Sequence, residues 1–191
     1  MIDYYYYNDN SIDQVRPNNF TVGYRAAKHL IELGHRNLAF VGNTDYSISF
    51  KDRFDGFAYY IKHCGVKNIH WQCVEDDHFN YHICHDDQIK KMLKASNRPT
   101  AIMCANDVIA NVIYQHATTL GISIPQELSL VGCDNAVAWN FTTFDLYPLI
   151  LGKIGAELLL KRMENPAEPI QYLQIEPQFQ EGATTAPPMK P

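Results

Sequence analysis

A twelve-residue stretch, DDHFNYHICHDD at residues 76–87, contains four aspartates and three histidines. On a helix, the spacing of His78, His82 and His85 would stack three imidazoles on one side, and these histidines with Cys84 could supply three metal ligands. The segment FNYH has the aromatic character of a loop, however, and clustered histidines lie more often at a solvated surface than around a metal. We therefore expect these histidines to face solvent and to hold no metal, and we keep a metalloenzyme as the least favoured alternative.

Three other polar residues, Arg53, Asn106 and Asp134, are of the types that bind hydroxyl-rich small molecules. An arginine fork beside an aspartate and an asparagine suits vicinal hydroxyls, because each group makes two hydrogen bonds in one plane. Each residue also has a purely structural interpretation: a surface ion pair for Arg53, a helix cap for Asn106 and a turn for Asp134. We expect Asp107 to cap its helix and Asn106 to face a ligand.

Helix and strand patterns alternate from residue 20 onward and would bring these residues together. The predicted helices and buried strands, in chain order, are 20–34, 37–42, 49–65, 68–74, 86–96, 100–105, 107–121 and 128–133. Such alternation predicts an α/β fold with a parallel sheet and helices on both faces. Ligands bind at the carboxyl ends of such strands, so the polar segments that follow them form the predicted rim of a site, at 43–49, 75–81, 106–107 and 134–135.

The C-terminal part has a different pattern. A helix is predicted at 147–163 and a strand at 170–176, followed by GATTAPPMKP at 182–191, a polar, proline-rich tail that we expect to lack fixed structure. The motifs GxGxxG, GxxxxGK[ST] and GxSxG are absent, so the sequence supports neither a nucleotide site of those kinds nor a hydrolase.

The composition is that of a globular protein, with 191 residues, 46% hydrophobic and 19% charged. No apolar run is long enough to cross a membrane, and residues 1–10 lack the features of a secretory signal. Five cysteines without a CxxC pair indicate reduced thiols and a cytoplasmic location. The net charge of −5 and the dispersed basic residues exclude direct DNA binding by this chain.

Four segments carry a more specific likeness: AAKHLIELGHRNLAFVG, RFDGF, RPTAIMCANDVIA and GISIPQELSLVGCDN. In this order and spacing they resemble the effector-binding domain of LacI/GalR-family transcriptional regulators. The resemblance implies a periplasmic-binding-protein-like fold, in which two α/β lobes joined by three crossovers hold a small effector between them. It also implies a division of the chain into the end of the first lobe (1–15), the second lobe (16–140), a crossover with a first-lobe helix (141–169), a returning strand of the second lobe (170–185) and a disordered tail (186–191).

The family's effector contacts can be carried over to matching positions of this sequence. They fall on Asp3, Tyr4, Ser47, Ser49, Arg53, Phe79, Asn106 and Asp134. Phe79, or Tyr81 two residues later, matches the aromatic that covers the effector. Cys133 replaces the aromatic common before the acid, which leaves the identity of the ligand open.

The resemblance implies a sensor and not an enzyme. We expect a small polar effector, most simply a sugar or sugar phosphate, and no cofactor. We also expect a homodimer, to which the apolar residues Ile109, Val112 and Ile113 of one helix could contribute, although they could equally be core. The family's helix-turn-helix has no counterpart here, so operator DNA would be bound only through an N-terminal domain outside this chain, and we expect a fragment of a longer regulator. The alternative is a solute-binding protein of a sugar transporter with the same fold.

Overall fold

The structure is a computed structural model that describes residues 11–45, 47–67, 69–74, 86–136 and 140–189. Its elements are β1 (Gln14–Pro17), α1 (Asn19–Glu32), β2 (Asn37–Val41), α2 (Ile48–His63), β3 (His70–Val74), α3 (Asp86–Lys94), β4 (Ala101–Cys104), α4 (Asp107–Thr119), β5 (Ser129–Val131), β6 (Thr143–Asp145), α5 (Pro148–Glu164), β7 (Tyr172–Ile175) and β8 (Gln178–Gln180). None of the described helices is long and apolar enough to cross a lipid bilayer.

Four parallel strands form the main sheet, in the order β3-β2-β4-β5. The central strand β4 is buried along its whole length, which its uninterrupted apolar sequence AIMC predicts. Crossovers between parallel strands are right-handed, so the reversal of strand order at β2 places α2 on one face and α3 and α4 on the other. The predicted α/β fold with helices on both faces is therefore confirmed.

Helices α1 and α2 approach each other closely because each contributes a glycine to the contact. A Cβ atom at Gly23 would overlap the carbonyl group of Arg53, and one at Gly56 would overlap the carbonyl group of Phe20. Gly56 is the glycine of the RFDGF segment, so the close packing of the two helices explains why the segment contains a glycine. The contact fixes where α2, and therefore Arg53, lies relative to the start of α1.

A second, smaller unit consists of β1, β7 and α5. Strand β7 pairs in parallel with β1, and Val15 packs against Leu151 and Leu158 of the helix. The strand predicted at 170–176 is present as β7 and pairs with β1, while its return to the second lobe stays a prediction. The remaining exposed side of α5 carries large apolar side chains: Leu149, Ile150, Leu159, Leu160 and Met163.

An ion pair holds the smaller unit together. Arg162 of α5 donates from Nε and Nη2 to the two carboxylate oxygens of Asp13, at 2.9 Å each, and Asp13 also accepts from the backbone N–H of Gln171 at 2.8 Å. These hydrogen bonds, first of all the one from Arg162, lower the pKa of Asp13 from 3.8 to about 2. The pair joins the residue before β1 to the helix and to the loop before β7.

The C-terminal segment differs from the expected structureless tail. Residues 178–180 form β8, antiparallel to β6. The Thr184 carbonyl accepts from the backbone N–H of Leu130 at 2.7 Å, and the Thr184 hydroxyl donates to the Leu130 carbonyl at 2.7 Å. Further on, the Ala186 carbonyl accepts from buried His35 Nε2 at 2.9 Å. The polar, proline-rich composition predicted disorder, but hydrogen bonds from every second residue to β5 hold the C-terminal segment in place through residue 186.

The apolar residues of α4 that could have marked a dimer contact lie in the core. Ile109 and Ile113 are fully buried, and Val112 is partly buried and packs against the same core cluster. Ile109 and Ile113 are therefore core residues and do not form part of a surface contact.

Replacing Gly23 with alanine is expected to lower the free energy of unfolding by about 2 kcal/mol or more, because the new methyl group overlaps backbone and not a movable side chain. Gly152→Ala is the matched control, since a Cβ at this helical glycine meets nothing within 4 Å. Alanine there should be neutral or stabilising by up to about 1 kcal/mol. Urea denaturation measures both; equal effects would contradict the close contact of α1 and α2.

The Asp13–Arg162 pair predicts a defined pH dependence. The folded pKa of Asp13, about 2, lies below its usual 3.8, so the pair stabilises the fold above pH 4, and this contribution is lost as pH falls toward 2. Asp13→Asn should therefore melt at a lower temperature than the parent protein at pH 7, and the two melting temperatures should converge at the acidic end. A difference that stays constant over that range would contradict the assigned ion pair.

Candidate functional site

The strand order of the main sheet predicts a ligand-binding crevice between the carboxyl ends of β2 and β4. The connection after β2 leads to one side of the sheet and the connection after β4 leads to the other, and such reversals are where α/β proteins bind ligands. The two connections lie close together: a Cβ atom at Gly42, just after β2, would overlap the side chain of Ala105, just after β4. Three of the predicted site residues lie around this crevice.

Arg53 of α2 is the buried charge of the site, with only 3% of its surface exposed. Its Nε donates to Asn19 Oδ1 at 2.9 Å, and its Nη1 donates to the Ala105 carbonyl at 2.5 Å. Its Nη2 lies 3.3 Å from Asp134 Oδ1. Partners from α1, the end of β4 and the end of β5 thus fix the plane of the guanidinium group. The sequence left open that Arg53 forms an ion pair with a neighbouring aspartate at the surface. Its burial shows that Arg53 is not a surface residue.

Asp134 follows β5 in a backbone conformation that residues other than glycine rarely adopt. Its φ is 106°, and the next residue, Asn135, has a φ of 50°. The Asp134 side chain is 35% exposed, so one part of the carboxylate faces Arg53 while the group stays accessible. An arginine and an aspartate arranged in this way can donate to and accept from adjacent hydroxyl groups of one ligand.

The structure assigns the capping role that we expected of Asp107 to Asn106. Asn106 is the N-cap of α4, because its Oδ1 accepts from the backbone N–H of Ile109 at 3.0 Å. Asp107 is 1% exposed and turns inward, where its carboxylate accepts from Ala136 and Thr143. Burial raises the pKa of Asp107 against the opposing effect of these hydrogen bonds. A side chain that caps a helix through Oδ1 keeps its Nδ2 for other contacts, so Asn106 could still donate to a ligand.

Two predicted serines lie at the start of α2, one turn before Arg53. Ser47 is the N-cap, and its hydroxyl accepts from the backbone N–H of Phe50 at 3.2 Å. Ser49 lies four residues before Arg53 and therefore on the same side of the helix. Both serines are half-buried. Ser49 therefore lies on the same side of α2 as Arg53, while Ser47 is engaged in capping.

Three further predicted contacts, Asp3, Tyr4 and Phe79, lie outside the described residues, as does the histidine-rich stretch. Among the residues that the structure does describe, no group of three or more histidine, cysteine, aspartate or glutamate side chains could hold a metal ion. That observation does not test His78, His82, His85 or Cys84.

Sequence reasoning missed two neighbours of Arg53. The ring of Phe50 lies 5.8 Å from the guanidinium carbon, and its position three residues earlier on the same helix could have indicated this contact. Asn19 carried no comparable indication. Its Nδ2 is buried without a hydrogen-bond partner in the described ranges, which leaves a polar group uncompensated next to the site.

Comparisons with known proteins match this architecture. The model of a periplasmic binding protein-like domain family matches residues 27–185. A regulator of the LacI family from Enterococcus faecium, solved with bound ribose, superimposes with a TM-score of 0.80 at 27% identity, covering 93% of this chain and 66% of that one.

The curated relatives, like the structural neighbour, are named as regulators of transcription. The ribose operon repressor of Haemophilus influenzae is 31% identical over 182 residues, which cover 91% of this chain and 53% of the relative. The transcriptional repressor PurR of Glaesserella parasuis is 30% identical, with 85% and 50% covered. The chain therefore spans about half the length of these relatives, and neither is named as an enzyme, as we predicted. The chain therefore belongs to the periplasmic binding protein-like domain family, and its sequence and structure are similar to those of LacI-family transcriptional regulators.

Proposed function

We propose that this chain senses a small polar metabolite, a sugar or sugar phosphate, and so controls DNA binding by a longer regulator. The observation that carries the proposal is the buried Arg53, which Asn19, Ala105 and Asp134 hold at the carboxyl ends of the strands. A buried arginine costs several kcal/mol of desolvation. Such a group is better explained by recognition of a ligand than by stability.

The chemistry favours hydroxyl groups in the effector. Arg53 and Asn106 Nδ2 would donate, Asp134 would accept, and Ser47 and Ser49 would do either. A site with this many polar groups rejects analogues that lack a hydroxyl, because one of its own groups would then stay buried without a partner. Asp3, Tyr4 and Phe79 would complete it, the last with an aromatic face against the sugar ring.

The division into lobes is part of the proposal. Residues 1–15 would belong to the first lobe and 16–140 to the second, while 141–169 would contain a crossover and a first-lobe helix. Strand β7 pairs with β1, and β8 pairs with β6 in the crossover. The large apolar side chains exposed on α5 support a further part of the first lobe that covers this helix. The effector would close the two lobes of a cytoplasmic homodimer and bias it between DNA-binding geometries.

DNA binding itself would come from a helix-turn-helix N-terminal to this chain. The alternative, a transporter's solute-binding protein, shares the fold but requires export. The two differ in the gene sequence upstream of Met1, where a helix-turn-helix supports regulation and a signal peptide supports transport. The repressor relatives favour regulation.

A thermal-shift panel of the full-length protein is expected to identify a stabilising sugar. The panel contains ribose, ribose 5-phosphate, glucose, hypoxanthine and several amino acids. A ligand at a hundredfold its dissociation constant stabilises the folded protein by about 2.7 kcal/mol, which shifts the melting temperature by several degrees. If amino acids shift the melting temperature while no sugar or purine does, the carbohydrate proposal is wrong.

Replacing Arg53 with lysine is expected to weaken binding of the sugar that the panel identifies by about 10- to 100-fold, because an ammonium group cannot reproduce the fork held by Asn19, Ala105 and Asp134. Titration calorimetry measures the affinity. Lys51→Ala is the control on the same helix, since its exposed ion pair with Asp55 contributes little. Equal affinities of Arg53→Lys and the control would exclude Arg53 from the site.

A further inference from the structure

The carboxylate of Asp107 joins the two ends of the loop that carries Asp134. Its Oδ2 accepts from the backbone N–H of Ala136 at 2.9 Å, and its Oδ1 accepts from the hydroxyl of Thr143 at 2.7 Å. Both Asp107 and Thr143 are almost completely buried. Residues on either side of the segment 137–139 are therefore connected through one side chain of another element.

The backbone just before Asp134 leaves room for the Asp107 carboxylate. A Cβ atom at Gly132 would overlap Asp107 Oδ1, so only glycine leaves room for it. The backbone N–H of Asp107 also donates to the Cys133 carbonyl at 2.8 Å. Main chain and side chain of Asp107 thus both contact the few residues around Asp134.

The turn at Asp134 and Asn135 needs such support. Two consecutive non-glycine residues with positive φ cost of order 1–2 kcal/mol each, and they persist only where surrounding contacts hold them. The backbone N–H of Asp134 donates to the Phe144 carbonyl at 3.0 Å, and that of Asn135 lies 3.4 Å from the Thr143 hydroxyl. The Thr143 hydroxyl therefore contacts both the turn and Asp107.

We propose that Asp107 and Thr143 are positioning residues for the effector: they hold the strained turn in the one conformation that places the Asp134 carboxylate against Arg53. Neither needs to touch the ligand. The proposal rests on the proposed function where it concerns effector affinity, but the placement of Asp134 is a property of the protein without effector.

The test replaces Thr143 with valine, which keeps the shape and removes the hydroxyl. Ribose is the probe, and titration calorimetry of the full-length protein measures its affinity. Thr143→Val should weaken ribose binding by about 5- to 20-fold, the loss expected for one hydrogen bond that orients a charged group. Thr143→Ser, which restores the hydroxyl, should bind within about twofold of the parent.

A double-mutant cycle separates positioning from general support of the fold. If Thr143 acts through Asp134, then Thr143→Val should change the affinity by less than about twofold in an Asp134→Asn background. An equal loss in both backgrounds, or no loss from Thr143→Val alone, would overturn the proposal.

The same four proteins are melted without ligand, so the result does not depend on ribose. Positioning predicts that the decreases in melting temperature from Thr143→Val and Asp134→Asn are not additive, because the first already weakens the contact that the second removes. Absence of ribose binding to the parent protein alongside a non-additive melting cycle would count against ribose as effector and in favour of the positioning. Additive decreases would reject the positioning whatever the effector is.

Discussion

The burial of one guanidinium group sets the arrangement of the larger unit. A charge as buried as that of Arg53 must be compensated by hydrogen bonds in several directions at once. The compensation comes from the first turn of α1, the carbonyl at the end of β4 and the acid after β5. These three elements belong to different parts of the chain, so the requirements of Arg53 constrain how helix α1 and the two strands lie relative to α2.

Small residues make that arrangement possible. Gly23 and Gly56 let α1 and α2 approach until Asn19 reaches Arg53, and Gly132 makes room for the Asp107 carboxylate beneath the turn. The contact between α1 and α2 and the hydrogen bond from Thr143 to Asp107 thus both support the polar groups of the site. Asn19 Nδ2 has no acceptor among the described residues, and a buried donor without an acceptor costs of order 1–3 kcal/mol.

The two units of the chain differ in how complete they are. The four-stranded sheet is covered by helices and has a continuous core. Among its described residues the smaller unit has a two-stranded sheet, one helix and a small apolar cluster, to which the Asp13–Arg162 pair adds hydrogen bonds. A single strand pair with one helix face buries little apolar surface, which is why polar contacts matter more there.

Hydrophobic periodicity and glycine positions are local properties, so the sequence alone predicted α1 to α5, the parallel main sheet and the rim that includes Asn106 and Asp134. Arg53, by contrast, was identified through the family resemblance, and the strands β1, β6 and β8 were not predicted. Only the tertiary structure decided that Asn106 caps α4 while Asp107 supports the turn, and that β7 pairs with β1. It also decided that Asn19, 34 residues away, orients Arg53, and that the C-terminal segment lies along β5. Those outcomes depend on which atoms of distant residues meet at hydrogen-bonding distance, and no local pattern in the chain specifies that.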